Sequence, residues 1–185
     1  MTIISVYAPR NRLSVPQRRQ LAMTLTDAVL VPEIGQLAPP ARVGFQVHFR
    51  ELALDEMAIG GVLLCDQDPV PDVMVLDIAV MDGDWRDEVR RQVIERTLRA
   101  MADACGLEKP APAWWANFRV IDEGSWGSRG GVLSILDLLR SGVFTADRVG
   151  EIRAAQEKIA AGKTVRGPMM QADLLTNPAS RPTRA

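Results

Sequence analysis

Little in this chain of 185 residues suggests metal or imidazole chemistry: it has one histidine, two cysteines and one tyrosine, and only 5% aromatics. Cys65 and Cys105 lack the spacing of a metal site, and in a chain without a secretory leader two thiols are expected to stay reduced. An excess of charge is missing too. A net charge of -1, with no basic cluster interleaved with aromatics, gives no field to attract nucleic acid. Long apolar runs are also absent. The stretches from Met57 to Cys65 and from Val73 to Met81 fall far short of the roughly 20 residues that cross a bilayer, and Asp77 interrupts the second. No basic segment followed by an apolar core opens the sequence, so a cytoplasmic location is expected. Neither a metal nor a cofactor is expected. The glycine-rich run from Gly124 to Gly131 lacks both the Gly-Lys-Ser/Thr of a phosphate loop and the later acidic residue of a dinucleotide fold. It reads as a turn that needs close backbone approach.

What is present is a phrase stated twice. With 47% apolar residues the chain can bury a real core in one or two modules. Ile3 to Ala8 is apolar and β-favouring, a strand that starts almost at the terminus, and Pro9-Arg10-Asn11-Arg12 breaks it into a loop. Ser14 then stands as an N-cap, with Pro16 in the first turn and Gln17 completing a capping box. Leu21, Leu25, Ala28 and Val29 form one buried stripe of the helix that follows, which is expected to end before the Pro32 to Gly35 region. Val43 to Arg50 alternates again, Val43, Phe45, Val47 and Phe49 on one face and Gln46, His48 and Arg50 on the other. The phrase closes at Ile59-Gly60-Gly61.

The second statement runs from a strand over Val73 to Val80, through Asp82-Gly83-Asp84, into a helix from about Trp85 to Ala104. Val89, Val93, Thr97, Ala100, Met101 and Ala104 mark its buried face, and Arg90, Arg91, Arg96 and Arg99 its wet one. Gly106 serves as its C-terminal stop. A strand near Trp115 to Asp122 places Phe118 and Val120 opposite Asn117, Arg119 and Ile121, so Arg119 takes the place of Gln46. Arg129-Gly130-Gly131 ends the copy. Beyond it, Val132 to Arg140 is a short apolar element and Thr145 to Ala160 an amphipathic helix. From Asn177 the composition turns to Pro, Ser, Thr and Arg, which predicts a mobile tail unless a neighbouring subunit holds it.

These pieces together resemble the tautomerase superfamily, the 4-oxalocrotonate tautomerase-like proteins, in their fused two-module form. The resemblance covers roughly residues 2 to 140. It rests on the strand from Thr2 to Tyr7, on Arg12-Leu13-Ser14, on the segment from Glu51 closing on Ile59-Gly60-Gly61, and on Glu123 to Gly130. It implies an α/β (α+β sandwich) fold: two fused β-α-β units forming a four-stranded sheet with two helices on one face, here with a C-terminal helical extension. The expected organisation is a tautomerase-like domain over 1–144, with repeats at about 2–64 and 73–140, and a helix and tail over 145–185. It also implies a homotrimer and a small carboxylate substrate or ligand.

The family's chemistry uses an N-terminal proline, exposed by loss of the initiator methionine, whose amine is kept neutral by burial beside positive charge. Arginines hold the substrate carboxylate and polarise its carbonyl. Here Thr2 stands in place of that proline. If Met1 is removed, Thr2 offers a primary α-amine as a base; if Met1 is kept, the amine is displaced and the pocket plugged. The resemblance assigns catalytic roles to Thr2, Arg12 and Arg119, and a substrate-lining role to Gln46, His48, Met57 and Trp126. Each has a plain structural alternative: a solvated loop charge for Arg12, an interface salt bridge for Arg119, a satisfied structural group for His48, and subunit packing for Met57 and Trp126. In fused members that process haloacrylates or semialdehydes, arginines follow the second copy's first strand. Asp82 and Asp84 there would repel an anion. The expected function is therefore a tautomerase-like isomerase on a small anionic keto/enol acid, with a non-catalytic binding or assembly protein of the same fold as the alternative.

Overall fold

The computed structural model describes residues 1–165, with side chains to residue 161; the tail expected from Asn177 lies outside the described residues. The first unit is β1 (Thr2–Pro9), α1 (Val15–Ile34) and β2 (Phe45–Leu52), and β1 and β2 pair in parallel. The second unit is β5 (Met74–Met81), α2 (Asp87–Ala104) and β6 (Trp114–Ile121), again a parallel pair. Between the units lies a small hairpin, β3 (Ala58–Ile59) with β4 (Val62–Leu63), and after the second unit a matching hairpin, β7 (Gly127–Ser128) with β8 (Gly131–Val132). Two further helices follow, α3 (Ile135–Leu139) and α4 (Ala146–Val165).

The four long strands form one sheet in the order β2-β1-β5-β6, joined at the centre by antiparallel pairing of β1 with β5. That one antiparallel contact sets the geography of the molecule. Because β1 and β5 run in opposite directions, the end of each unit lies beside the start of the other. The β7–β8 hairpin thus comes to the start of β1, and the β3–β4 hairpin to the start of β5.

Alternation decides the faces of the sheet. Ile4, Val6, Ala8, Leu76, Ile78 and Val80 point to one side, where they share a core with Leu21, Leu25 and Val29 of α1 and Val93 and Met101 of α2. Trp85, just ahead of α2, anchors that helix: its indole packs edge-on against Phe118 at 5.1 Å and its Nε1 donates to the Met81 carbonyl at 2.6 Å. The opposite face carries Ser5, Tyr7, Asp77, Gln46, His48 and Arg119, with Trp115 59% exposed.

Three boundaries differ from the sequence reading. Helix α1 does not stop before Pro32 but runs through it to Ile34. In the final turn the missing N–H forgoes a single bond, while Leu30 and Ile34 are buried and Gly35, at φ 82°, closes the helix in the left-handed conformation. Strand β2 begins at Phe45, since Pro39–Gly44 coils into a 3-10 turn that leaves Val43 87% exposed. Helix α2 begins at Asp87, with Arg86 as its N-cap. The capping box at Ser14 is present: its Oγ accepts from the Gln17 N–H, and the Ser14 N–H donates to Gln17 Oε1. Neither cysteine pairs; Cys65 is exposed and Cys105 half-buried.

Candidate functional site

The start of β1 is the floor of a cavity. A space of about 380 Å³ opens there, lined mainly by apolar side chains such as Phe45, Leu138 and Phe144, with the Met1 terminus, Glu33, Ser128, Arg129 and Ser141 as its polar points. The Met1 ammonium lies 3.5 Å from Glu33 Oε1, and the Met1 carbonyl accepts from the Met81 N–H at 3.3 Å. Glu33, in the last turn of α1, is only 2% exposed. A carboxylate so far from water needs a positive partner, and the chain's own terminus supplies it.

Arg129 reaches the same space from the β7–β8 hairpin. In the first copy the two turn residues are Gly60 and Gly61, at φ 62° and 83°; in the second they are Arg129 and Gly130, at φ 54° and 81°. Two positive φ values in succession are what a tight two-residue hairpin requires. Glycine meets that demand freely, whereas a non-glycine residue in the left-handed region costs on the order of 1 kcal/mol. An arginine is thus held in a strained position where the sister copy has glycine, and among the described residues no carboxylate pairs with it.

The C-terminal extension fixes this end of the molecule. Arg148 of α4, 6% exposed, donates from Nε to the Glu33 carbonyl at 3.1 Å and from Nη2 to the Gly83 carbonyl at 2.9 Å. Its Nη1 donates to Glu151 at 2.6 Å and Asp84 at 3.3 Å. The guanidinium holds the Glu151 carboxyl below its ordinary range. The Thr145 N–H caps the Ile34 carbonyl at 2.9 Å, and a Cβ on Gly35 would sit 2.5 Å from Thr145 Oγ1, so only glycine fits there. Asp84, read as a repulsive loop charge, is engaged by Arg148 and by Arg86 at 3.2 Å. Burial pushes the Asp82 carboxyl above its ordinary range.

The seven residues singled out from the sequence divide between the two ends and the two faces. Thr2 follows Met1, which lines the cavity, but its own side chain faces the core, 1% exposed, with Oγ1 lacking a hydrogen-bond partner. Trp126 packs at the same end, in the cluster that includes Met1 and Ile135. Arg12 does not join them. It follows the far end of β1, so eight strand residues, roughly 25 Å, separate it from Thr2. There it forms a two-pronged pair with Asp72, both contacts 2.7 Å, and lies over the Trp114 ring at 5.7 Å. The pair draws the Asp72 carboxyl below its ordinary range and raises the guanidinium further. Met57 is at that far end too, packed on Leu64 and Val73.

Gln46, His48 and Arg119 lie on the open face of the sheet. The His48 ring is 3.1 Å from Gln46 Oε1. Arg119 is level with Ile3 through Ala79, two strands from β1, and it forks onto Asp77 at 2.9 and 2.7 Å. Glu33, Arg129 and Arg148 were not singled out from the sequence. Only Arg129 had a signal there, as an arginine where the other copy's turn has glycine.

A hairpin at the start of a central strand, two β-α-β units and a central antiparallel pair form a known arrangement. Native fused 4-OT superposes with a TM-score of 0.58 at 22% identity, over 70% of this chain and 94% of that one. This chain has the tautomerase fold. A fused 4-OT described as a symmetric trimer gives 0.56 at 16% identity, over 76% of this chain and 98% of its own. A member of the cis-3-chloroacrylic acid dehalogenase family gives 0.60 at 16% identity, over 86% of this chain and 99% of its own. That match takes in more of the chain than either 4-OT. No protein-family model matches the sequence, and no curated protein matches it. In this tautomerase fold Met1, just ahead of β1, lines the cavity shared by Glu33 and Arg129.

Proposed function

We propose that this protein is a tautomerase-like isomerase that moves a proton between oxygen and carbon of a small anionic keto/enol acid, with the terminal amine as proton carrier. The observation that carries this reading is the chain's amino terminus in the floor of a cavity of about 380 Å³ that also receives Arg129. Arg129, exposed at the rim, is the cation available for a substrate carboxylate, and charge-assisted pairing of that kind is stronger than a neutral hydrogen bond. With Met1 removed, the Thr2 amine takes over the floor; its side chain, turned into the core, leaves the amine as the reactive group.

Arg12 and Arg119 enter the same chemistry only through other copies of the chain. Within one chain Arg12 is at the wrong end of β1, and Arg119 is on the open face. A homotrimer supplies other ends and other faces, and the exposed Trp115 beside polar groups on the open sheet suits a subunit contact. A cytoplasmic location belongs to this reading; among the described residues no helix is long and apolar enough to cross a membrane.

One observation favours the alternative of a non-catalytic binding or assembly protein. Arg12 and Arg119 are each neutralised by an aspartate of their own chain, Asp72 and Asp77. Intact mass with an enol-pyruvate assay separates the two. Loss of Met1 with measurable ketonisation supports the isomerase, and a large gain in Thr2→Pro shows the pocket competent. Retained Met1 with no turnover in either form supports the binding protein.

A further inference from the structure

The buried Glu33 carboxylate is the group for which the terminal-amine chemistry has no use. It lines the cavity, its nearest charged neighbour is the Met1 ammonium at 3.5 Å, and its main chain is held by buried Arg148. We propose that Glu33 is a catalytic residue, the second proton carrier of an amine–carboxylate dyad, and that the substrate is a monocarboxylate with an apolar body. This rests on the isomerase reading.

The substrate class follows from the lining. Arg129 offers one site for a carboxylate, Glu33 repels a second carboxylate from the floor, and Phe45, Leu138 and Phe144 favour hydrocarbon between them. Arg148 acts as a positioning residue, fixing the last turn of α1 from which Glu33 projects.

The step balances without a co-reactant. The Glu33 carboxylate takes the proton of the enol hydroxyl, so that the O–H bond breaks and C2=O forms. The C2=C3 electrons then form a C3–H bond with a proton from the terminal ammonium, whose N–H bond breaks. Glu33 returns its proton to the neutral amine across the short gap. Two groups on one floor can thus serve oxygen and carbon in turn, where a single amine would have to swing between them. The dyad is that of the Met1 amine, the terminus set 3.5 Å from Glu33, so it requires Met1 to be retained.

The test is ketonisation of the enol of phenylpyruvate in D2O by the full chain, with product configuration at C3 read by NMR. Glu33→Gln should lower kcat by about 10²-fold, the scale of one positioned acid–base group. KM should stay within about threefold, because Arg129 still holds the carboxylate, and deuterium at C3 should lose its single configuration. Glu33→Asp should recover part of kcat and the single configuration. If Glu33→Gln does not fold, Glu33→Asp decides: a fall of about tenfold supports the dyad, and parental kcat overturns it. An unchanged, stereospecific Glu33→Gln also overturns it, while the isomerase reading survives if acetylating the terminal amine abolishes turnover. A parent that does not ketonise the enol overturns both.

Discussion

The Met1 ammonium and the Glu33 carboxylate face each other at 3.5 Å in the floor of a cavity, one at the start of β1 and the other at the end of α1. The pair links the first residue of the chain to the last turn of its first helix. Through the Glu33 carbonyl and Arg148 it also reaches the C-terminal extension. The charges at this end are few and specifically placed, which makes the molecule open to simple perturbation.

The Thr2 hydroxyl is buried without a partner. Leaving such a group unpaired costs about 1–3 kcal/mol, and valine has nearly the same shape without the oxygen. Thr2→Val should therefore raise stability by about 1 kcal/mol in urea unfolding. A loss of stability would mean that the hydroxyl has a partner in solution.

Arg129 should show a trade between stability and binding. Arg129→Gly relieves a left-handed backbone at φ 54° and should stabilise the fold by about 1 kcal/mol. The same change should weaken binding of a keto monocarboxylate by about tenfold or more in calorimetric titration, as expected when a charge-assisted hydrogen bond is lost.

Removing Arg148 leaves the Asp84 and Glu151 carboxylates and the main-chain carbonyls of Glu33, Gly83 and Asp84 without their common donor. Breaking one side of a buried charge network costs about 3–5 kcal/mol. Arg148→Met should lower the unfolding free energy by that amount. Hydrogen exchange should rise first in α4 and in the last turn of α1.

The Arg12–Asp72 pair predicts a pH dependence. Pairing with Arg12 depresses the folded-state ionisation of Asp72, so its stabilisation is fully present above the unfolded value of about 3.9 and is lost as pH falls through the lower folded value. Asp72→Asn should cost about 1 kcal/mol at pH 7, a modest figure because both partners are partly exposed and solvent screens them. Measured by urea unfolding, the gap between parent and variant should narrow once pH falls below the unfolded value and close as pH passes the lower folded one.

Much of the fold could be read from the sequence because its signals are local. The capping box from Ser14 to Gln17, the alternation of Phe45 to Arg50, and the 3.6-residue stripe through Val93 and Met101 each depend on near neighbours. The errors fell where distant contacts outweigh local preference. Pro32 argues against a helix in its own neighbourhood, but the burial of Leu30 and Ile34 and the Gly35 cap carry α1 past it. Glu33 lies in the turn of α1 beyond that proline. Arg148 was missed because nothing local distinguishes a buried arginine from a solvated one on an amphipathic helix. Arg129 was legible in principle, since only a positional comparison with Gly60 reveals it.

The sequence by itself determined two β-α-β units, their order, the Gly-Gly segments that close them and the absence of proline behind Met1, because periodicity, caps and turn residues act over a few positions. The tertiary structure alone decided which of those pieces meet. Pairing β1 antiparallel to β5 brings the second unit's hairpin, with Arg129, to the start of the first, and sends Arg12 and Met57 to the start of the second. It also turned the Thr2 side chain inward and set Glu33 against the terminus. Strand direction and register are settled by the burial of one sheet face against two helices, a sum over the whole core that no single segment contains.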